Sequence, residues 1–178
     1  MPVLVAYASK HGATQGIAER ITAKLNEQGQ LAEARSVQQA RGLEGYDAFV
    51  IGSAVYTFHW LKGAVGFVRR NRAILARSPV WLFSSGPLGT EATDAKGRDL
   101  REVTEPKEIP EFQAAIAPRG HRVFFGALDP DTLGFAEQAI RKLPAARAGL
   151  PAGDFRDWGE IDAWAGEIAD DLAQPPAT

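Results

Sequence analysis

Val3-Leu4-Val5-Ala6-Tyr7-Ala8-Ser9-Lys10-His11-Gly12-Ala13-Thr14 is the stretch whose reading decides the fold. Its first six residues form an uninterrupted apolar run, the composition of a strand covered on both faces in a parallel sheet. The run gives way at Ser9 to a polar loop. Beyond the loop Ile17, Ile21 and Leu25 recur every four residues with Ala18 beside them, the stripe of an amphipathic helix, and Gly29 suits its end. A central strand, a tight polar turn and a helix make the opening unit of an alternating α/β chain.

The same alternation continues outward. Leu31–Ser36 is thinner in apolar residues and reads as an edge strand, and 47–53 reads as the third strand. After a loop at 54–59, Trp60, Leu61, Ala64, Val65 and Val68 fall on one helical face. Pro79–Ser85 supplies a fourth strand, 86–108 reads as a long exposed loop, and His121–Gly126 supplies a fifth strand. The extra segment 128–156 holds a helix near Thr132–Leu143, and its remainder, Pro144–Asp154, is rich in Ala, Gly and Pro. The last helix has Asp157 as N-cap with Glu160 three residues on, and Trp158, Ile161, Ala165, Ile168 and Leu172 as its apolar stripe. The expectation is one domain over 1–173, a doubly wound parallel sheet with helices on both faces, and a short tail at 174–178.

Composition narrows the chemistry. The 178 residues carry a formal net charge of −2, neither a nucleic-acid footprint nor an acidic tail. There is no cysteine, so disulfides, thiolate metal sites and thiol redox chemistry are excluded, and a redox role needs a bound organic cofactor. The three histidines, at 11, 59 and 121, lack metal-site spacing. No leader-like or membrane-spanning stretch is read, which makes the cytoplasm the expected location. Helix 60–78 carries Lys62, Arg69, Arg70, Arg72 and Arg77 without an acid, a solvated face or a surface for an anionic or membrane-derived substrate.

In a doubly wound sheet ligands sit at the carboxyl ends of the strands where strand order reverses, so the loops after strands one, three and four are the candidates. In the first, Ser9-Lys10-His11-Gly12-Ala13-Thr14, Gly12 permits a left-handed backbone and Thr14 is placed to cap the next helix; exposed amides and the helix dipole would face a phosphate. An ordinary strand-to-helix turn with a Thr cap is the competing reading of this loop. The second, Ala54-Val55-Tyr56 followed by Phe58, His59 and Trp60, is aromatic; Tyr56 suits stacking on a planar ring, whereas Trp60 fits the buried stripe of the next helix. The third, Ser84-Ser85-Gly86-Pro87-Leu88-Gly89, offers small residues and free amides for a ring's polar edge, or a plain Gly-Pro turn. Gly-x-Gly-x-x-Gly, Gly-Lys-Ser/Thr and Gly-x-Ser-x-Gly are absent, as are acidic ends on strands one and three.

The segment at 3–14 resembles the flavodoxin FMN-phosphate loop, Thr/Ser-x-Thr/Asn-Gly-x-Thr, with His11 in place of the usual third residue. The likeness extends through 46–53, 67–70, 125–128 and Asp157-Trp158 to the branch that contains menaquinone-dependent protoporphyrinogen IX dehydrogenases. That resemblance implies a flavodoxin-like five-stranded sheet of order 2-1-3-4-5 and FMN held by 9–14, 54–56 and 84–89. It also implies electron transfer between a reduced donor, protoporphyrinogen IX among the candidates, and a quinone-like acceptor, with peripheral contact at the inner face of the membrane as an option. A flavodoxin-type shuttle between redox proteins and a cofactor-free interaction module are the alternatives. Leu133, Phe135 and Ile140 are expected to form the apolar wall met by a planar substrate.

Overall fold

A computed structural model describes residues 1–144 and 151–174. Strand β1 (Pro2–Ala8) leads to helix α1 (Ala13–Glu27), β2 (Leu31–Ser36) and β3 (Ala48–Tyr56). Then follow the short β4 (His59–Trp60), α2 (Lys62–Arg70), α3 (Arg72–Leu75) and β5 (Val80–Ser85). After α4 (Leu100–Val103) and α5 (Ile109–Ile116) come β6 (Gly120–Phe124), β7 (Ala127–Leu128), α6 (Phe135–Arg141) and β8 (Gly153–Asp154). Helix α7 (Trp158–Ala173) closes the described chain.

The main sheet runs β2-β1-β3-β5-β6, all parallel, with β4 folded back antiparallel on β3. This is the expected order 2-1-3-4-5. Alternation along each strand divides the core. Leu4, Ala6, Phe49, Ile51 and Leu82 face α2, α3 and α5 residues such as Phe67, Leu75 and Phe112. Val3, Val5, Val50 and Phe83 face α1 and α7 residues such as Ile17, Ile21, Ile161 and Trp164. With both faces covered, Val3 through Ala6 are wholly buried, which explains the unbroken apolar run of β1. Gly52 pairs with Phe83 in the β3–β5 register, and a Cβ on it would lie 1.9 Å from the Phe83 ring. The bare backbone makes room for that ring.

Several local expectations are corrected. Helix α2 starts at Lys62, so Trp60 is not part of the helical stripe. It is buried on β4 and packs on Phe112 with ring centroids 5.2 Å apart. Strand β3 continues through Tyr56, beyond the expected end at Ser53. The 86–108 loop contains α4, with the Thr93–Asp99 bridge before it. Helix α5 was not anticipated; Ile109, Phe112 and Ile116 are its buried face. Trp158, expected in the α7 stripe, is partly exposed, and Trp164 takes the buried place. The Asp157 cap is present, its carboxylate accepting the Glu160 amide at 2.9 Å. Part of the Ala/Gly/Pro-rich stretch, 145–150, and tail residues 175–178 lie outside the described residues.

Candidate functional site

A cavity of about 490 Å³ opens at the carboxyl ends of β1, β3 and β5, within the range of small-molecule sites. Part of its floor is the loop before α1. Gly12 takes φ +88, the left-handed region that favours glycine, and its amide donates to Ser9 Oγ at 3.0 Å. Thr14 is not the cap that the sequence suggests. Gly12 occupies the N-cap position and no side chain caps α1, while Thr14 is the second helical residue, buried and lining the cavity. The first turn of α1 carries no acid. Uncapped amides at the positive end of a helix dipole, with no carboxylate among them, suit a bound anion.

Ser9, Lys10, His11, Ala13 and Thr14 line the cavity from this loop; Gly12 shapes the turn from behind. Ala54, Val55 and Tyr56 line it from the end of β3, joined by Thr57, which the sequence did not single out. Tyr56 is 41% exposed and the Lys10 ammonium lies 5.4 Å from its ring centroid. Burial pushes the Tyr56 phenol pKa up. The turn after it is strained: Thr57 and Phe58 have φ 48 and 65, both in the left-handed region, where a β-branched or aromatic residue is unfavourable. The Tyr56–His59 pairing forces both to occupy the tip of a two-residue hairpin.

The β5 loop divides between two sides of the sheet. Ser85, Gly86 and Leu88 line the cavity. Ser84 does not: it is wholly buried, accepts a hydrogen bond from Trp60 Nε1 at 2.8 Å and lies 2.8 Å from His121 Nε2. Strand alternation sends Ser84 to the Trp60 side and Ser85 to the cavity side. On its other side the His121 ring places Nδ1 3.4 Å from the Glu105 carboxylate. Burial depresses the His121 pKa, opposed by the Glu105 carboxylate. Pro87 borders a second, apolar cavity of about 340 Å³, which shares Val55, Thr57, Gly86 and Leu88 with the first and adds Phe58, Leu100 and Thr104. Gly89 lines neither cavity.

The opposite wall comes from the segment after β6: Gly126, Ala127, Leu128, Leu133, Glu137, Ile140 and Arg141. Leu133 and Ile140 were anticipated, but Phe135 is 92% exposed and turns away from the cavity. Glu137 ties this wall to the floor. Its carboxylate caps the Gly134 amide at 3.1 Å and accepts the Lys10 ammonium. The Lys10 contact, first among its partners, holds the Glu137 pKa down and raises that of Lys10. His11 Nδ1 lies 3.0 Å from the Thr132 carbonyl. Its Nε2 sits 3.1 Å from Glu137 Oε2, outside hydrogen-bond geometry, so that contact is one of charge when the ring is protonated.

Among the described residues no group of three His, Asp or Glu could hold a metal ion, and no helix is long and apolar enough to cross a membrane.

A family model described as "Flavodoxin domain" matches residues 4–149. No curated protein sequence matches closely enough to count as a relative. Among solved structures, a flavodoxin from the domain Archaea is similar, with a TM-score of 0.63 at 15% identity over 98% of this chain and 100% of that one. A point mutant of flavodoxin from Pseudomonas aeruginosa gives 0.62 at 13% identity, over 98% and 100%. Rubredoxin oxygen:oxidoreductase from the anaerobe Desulfovibrio gigas gives 0.60 at 12% identity, over 96% of this chain and 36% of that one. At such identities the structural likeness speaks for the fold alone. The specific likeness to protoporphyrinogen dehydrogenases is not supported by these matches.

Proposed function

This chain belongs to the flavodoxin-domain family, and from that premise we propose that its cavity holds one FMN and that the protein is an FMN-dependent oxidoreductase passing electrons to a quinone-like acceptor. The residues fit the cofactor. The uncapped start of α1, with Ser9 and Thr14 beside it, suits the phosphate. Tyr56 and Val55 on one side and Ser85, Gly86 and Leu88 on the other suit the planar ring. The flavin would supply the redox chemistry when bound, and the chain would supply orientation, electrostatics and exclusion of water.

The observation that carries the acceptor reading is the apolar cavity of about 340 Å³ contiguous with the first through Val55, Thr57, Gly86 and Leu88. A planar, lipophilic acceptor would fit there beside the ring end of the cofactor site. Leu133 and Ile140 extend apolar surface on the far wall. In each turnover two electrons and two protons leave the donor and reappear on the quinone as quinol. Protoporphyrinogen IX is one candidate donor and needs its own assay.

The test is to reduce the FMN-loaded protein anaerobically and mix it with menadione. Reoxidation within milliseconds to seconds, slowed by Leu100→Glu in the smaller cavity, is expected. Reoxidation only by a redox protein such as a cytochrome would replace this reading with that of an electron shuttle. A colourless protein that takes up no flavin would leave a cofactor-free interaction module.

A further inference from the structure

Behind the loop before α1, one partly buried cation joins the two walls of the cavity. The Arg156 side chain is only 17% exposed. Its Nε and Nη2 donate to the two carboxylate oxygens of Asp154 at 2.7 and 2.6 Å, and its backbone amide donates to Asp154 Oδ1 at 3.1 Å. Nη1 reaches across to the Ala13 carbonyl at 3.2 Å. The guanidinium carbon lies 4.5 Å from the Trp158 ring centroid, so the fork is fixed in one plane. Helix α1 yields to it: a Cβ on Gly16 would come within 2.5 Å of Nη1. Glycine inside a helix carries a conformational cost, and here its missing side chain is the space that the guanidinium occupies.

Each end of this contact belongs to the cavity. Asp154 is in β8, which pairs with Ala127 and Leu128 of β7, and the Phe155 amide donates to the Gly126 carbonyl at 3.0 Å. Gly126, Ala127 and Leu128 line one wall, and Ala13 lines the other as the first residue of α1. We propose that Arg156 is a positioning residue for the phosphate end of the cofactor site, a strut that holds the uncapped first turn of α1 at a fixed distance from the 126–128 wall. This rests on the reading of the cavity as an FMN site. The Asp154–Arg156 pair is neutral overall, so the strut acts through geometry rather than through added charge. A preorganised amide cluster binds an anion more tightly than one that must be ordered on binding. Losing the strut therefore weakens recognition of the phosphate and leaves that of the ring nearly intact.

The experiment compares FMN and riboflavin affinities, by quenching of flavin fluorescence, in the full chain and in Arg156→Ala, Arg156→Lys, Gly16→Ala and the Gly16→Ala/Arg156→Ala double variant. The expected result for Arg156→Ala is FMN binding weaker by about tenfold with riboflavin changed by less than about twofold. Arg156→Lys, which cannot form the planar fork, should recover only part of the loss. Gly16→Ala should reproduce the loss by pushing the guanidinium aside, and should add nothing once Arg156 is gone, because paired residues do not act additively. Thermal melting without flavin gives a second readout: Gly16→Ala should lower the midpoint when Arg156 is present and raise it in the Arg156→Ala background.

Equal losses for FMN and riboflavin, no loss, or a Gly16→Ala loss of FMN affinity that persists without Arg156 would overturn the strut. Failure of the unaltered protein to take up FMN would instead overturn the cofactor reading, and the strut's purpose with it. Should Arg156→Ala not fold, Gly16→Ala and Arg156→Lys still decide through the FMN-to-riboflavin ratio.

Discussion

The floor and the roof of the cavity are built on different terms. The floor is made of loops that leave buried parallel strands, so the positions of Ser9, Ala54 and Ser85 are set by a close-packed core. The roof is α6, a seven-residue helix with no buried residue, tied down by Lys10 on Glu137 and, just before the helix, by His11 Nδ1 against the Thr132 carbonyl. Phe135 at 92% and Ile140 at 54% exposure show how little of it the core holds. On the proposed FMN reading, affinity would reside in the floor, where geometry is fixed before binding, and access in the roof, which can part from it at small cost.

The largest expected effect tests the rigidity of the floor. Gly52→Ala drives a methyl group into the Phe83 ring and should destabilise the protein by about 2–3 kcal/mol. A urea midpoint unchanged from the parent would show that the sheet beneath the site gives way easily, and the contrast with α6 would collapse.

Acidification probes the β3–β5 end of the floor. His121 holds Ser84, which holds Trp60, so the 84–86 loop and the 56–60 hairpin share one buried hydrogen-bonded chain. The folded His121 pKa lies below its unfolded value of about 6.5. The unfolded chain therefore binds the extra proton first. This contribution to stability is fully present above about pH 6.5 and is lost as the pH falls toward and through the depressed folded value. Glu105 faces the same ring and opposes the shift from a half-exposed position. Stability measured between pH 7.5 and 5 should fall more steeply in the parent than in His121→Gln. Parallel curves would remove His121 from the account.

Roof variants should act more gently. Glu137→Gln weakens the tie to Lys10, a solvent-screened surface pair of modest strength. Stopped-flow flavin binding should then show faster entry and faster release, by up to about fivefold each, with the equilibrium constant moving less than either rate. Slower exchange would mean that the Glu137 contact does not gate the cavity. The smallest effect belongs to Phe135→Ser, which should leave stability within about 0.5 kcal/mol of the parent because the ring is already in solvent. A larger loss would place Phe135 in a packed environment and make the roof more like the floor.

The floor was legible in the sequence because its signals are local. Strand β1, its glycine turn and the stripe of α1 are contiguous, and burial on both faces writes itself as an unbroken apolar run. The roof was only half legible. The Lys10–Glu137 contact spans 127 residues, and no local pattern announces such a pair. Trp60 matched the α2 stripe by accident of spacing, since a hairpin residue two positions before a helix can share its apparent phase. Helix α5 lies between the loop read at 86–108 and the strand read from His121, a stretch given no element; its eight residues make too short a period to stand out, and its early Pro110 sits in the first turn, where Pro is at home. For Ser84 and Ser85 a usable signal was present. Adjacent strand residues face opposite ways, so only one of them could line the cavity.

Whether the uncapped turn before α1 seats a phosphate is decided by titrating the flavin-free protein with FMN and with riboflavin, alongside Ser9→Ala. Hydrogen bonds to a charged group contribute about 1.5–3 kcal/mol each. FMN should therefore bind at least about tenfold more tightly than riboflavin, and Ser9→Ala should erode that preference by about tenfold to a hundredfold. Equal affinity for the two flavins in the parent protein would contradict a phosphate seat there.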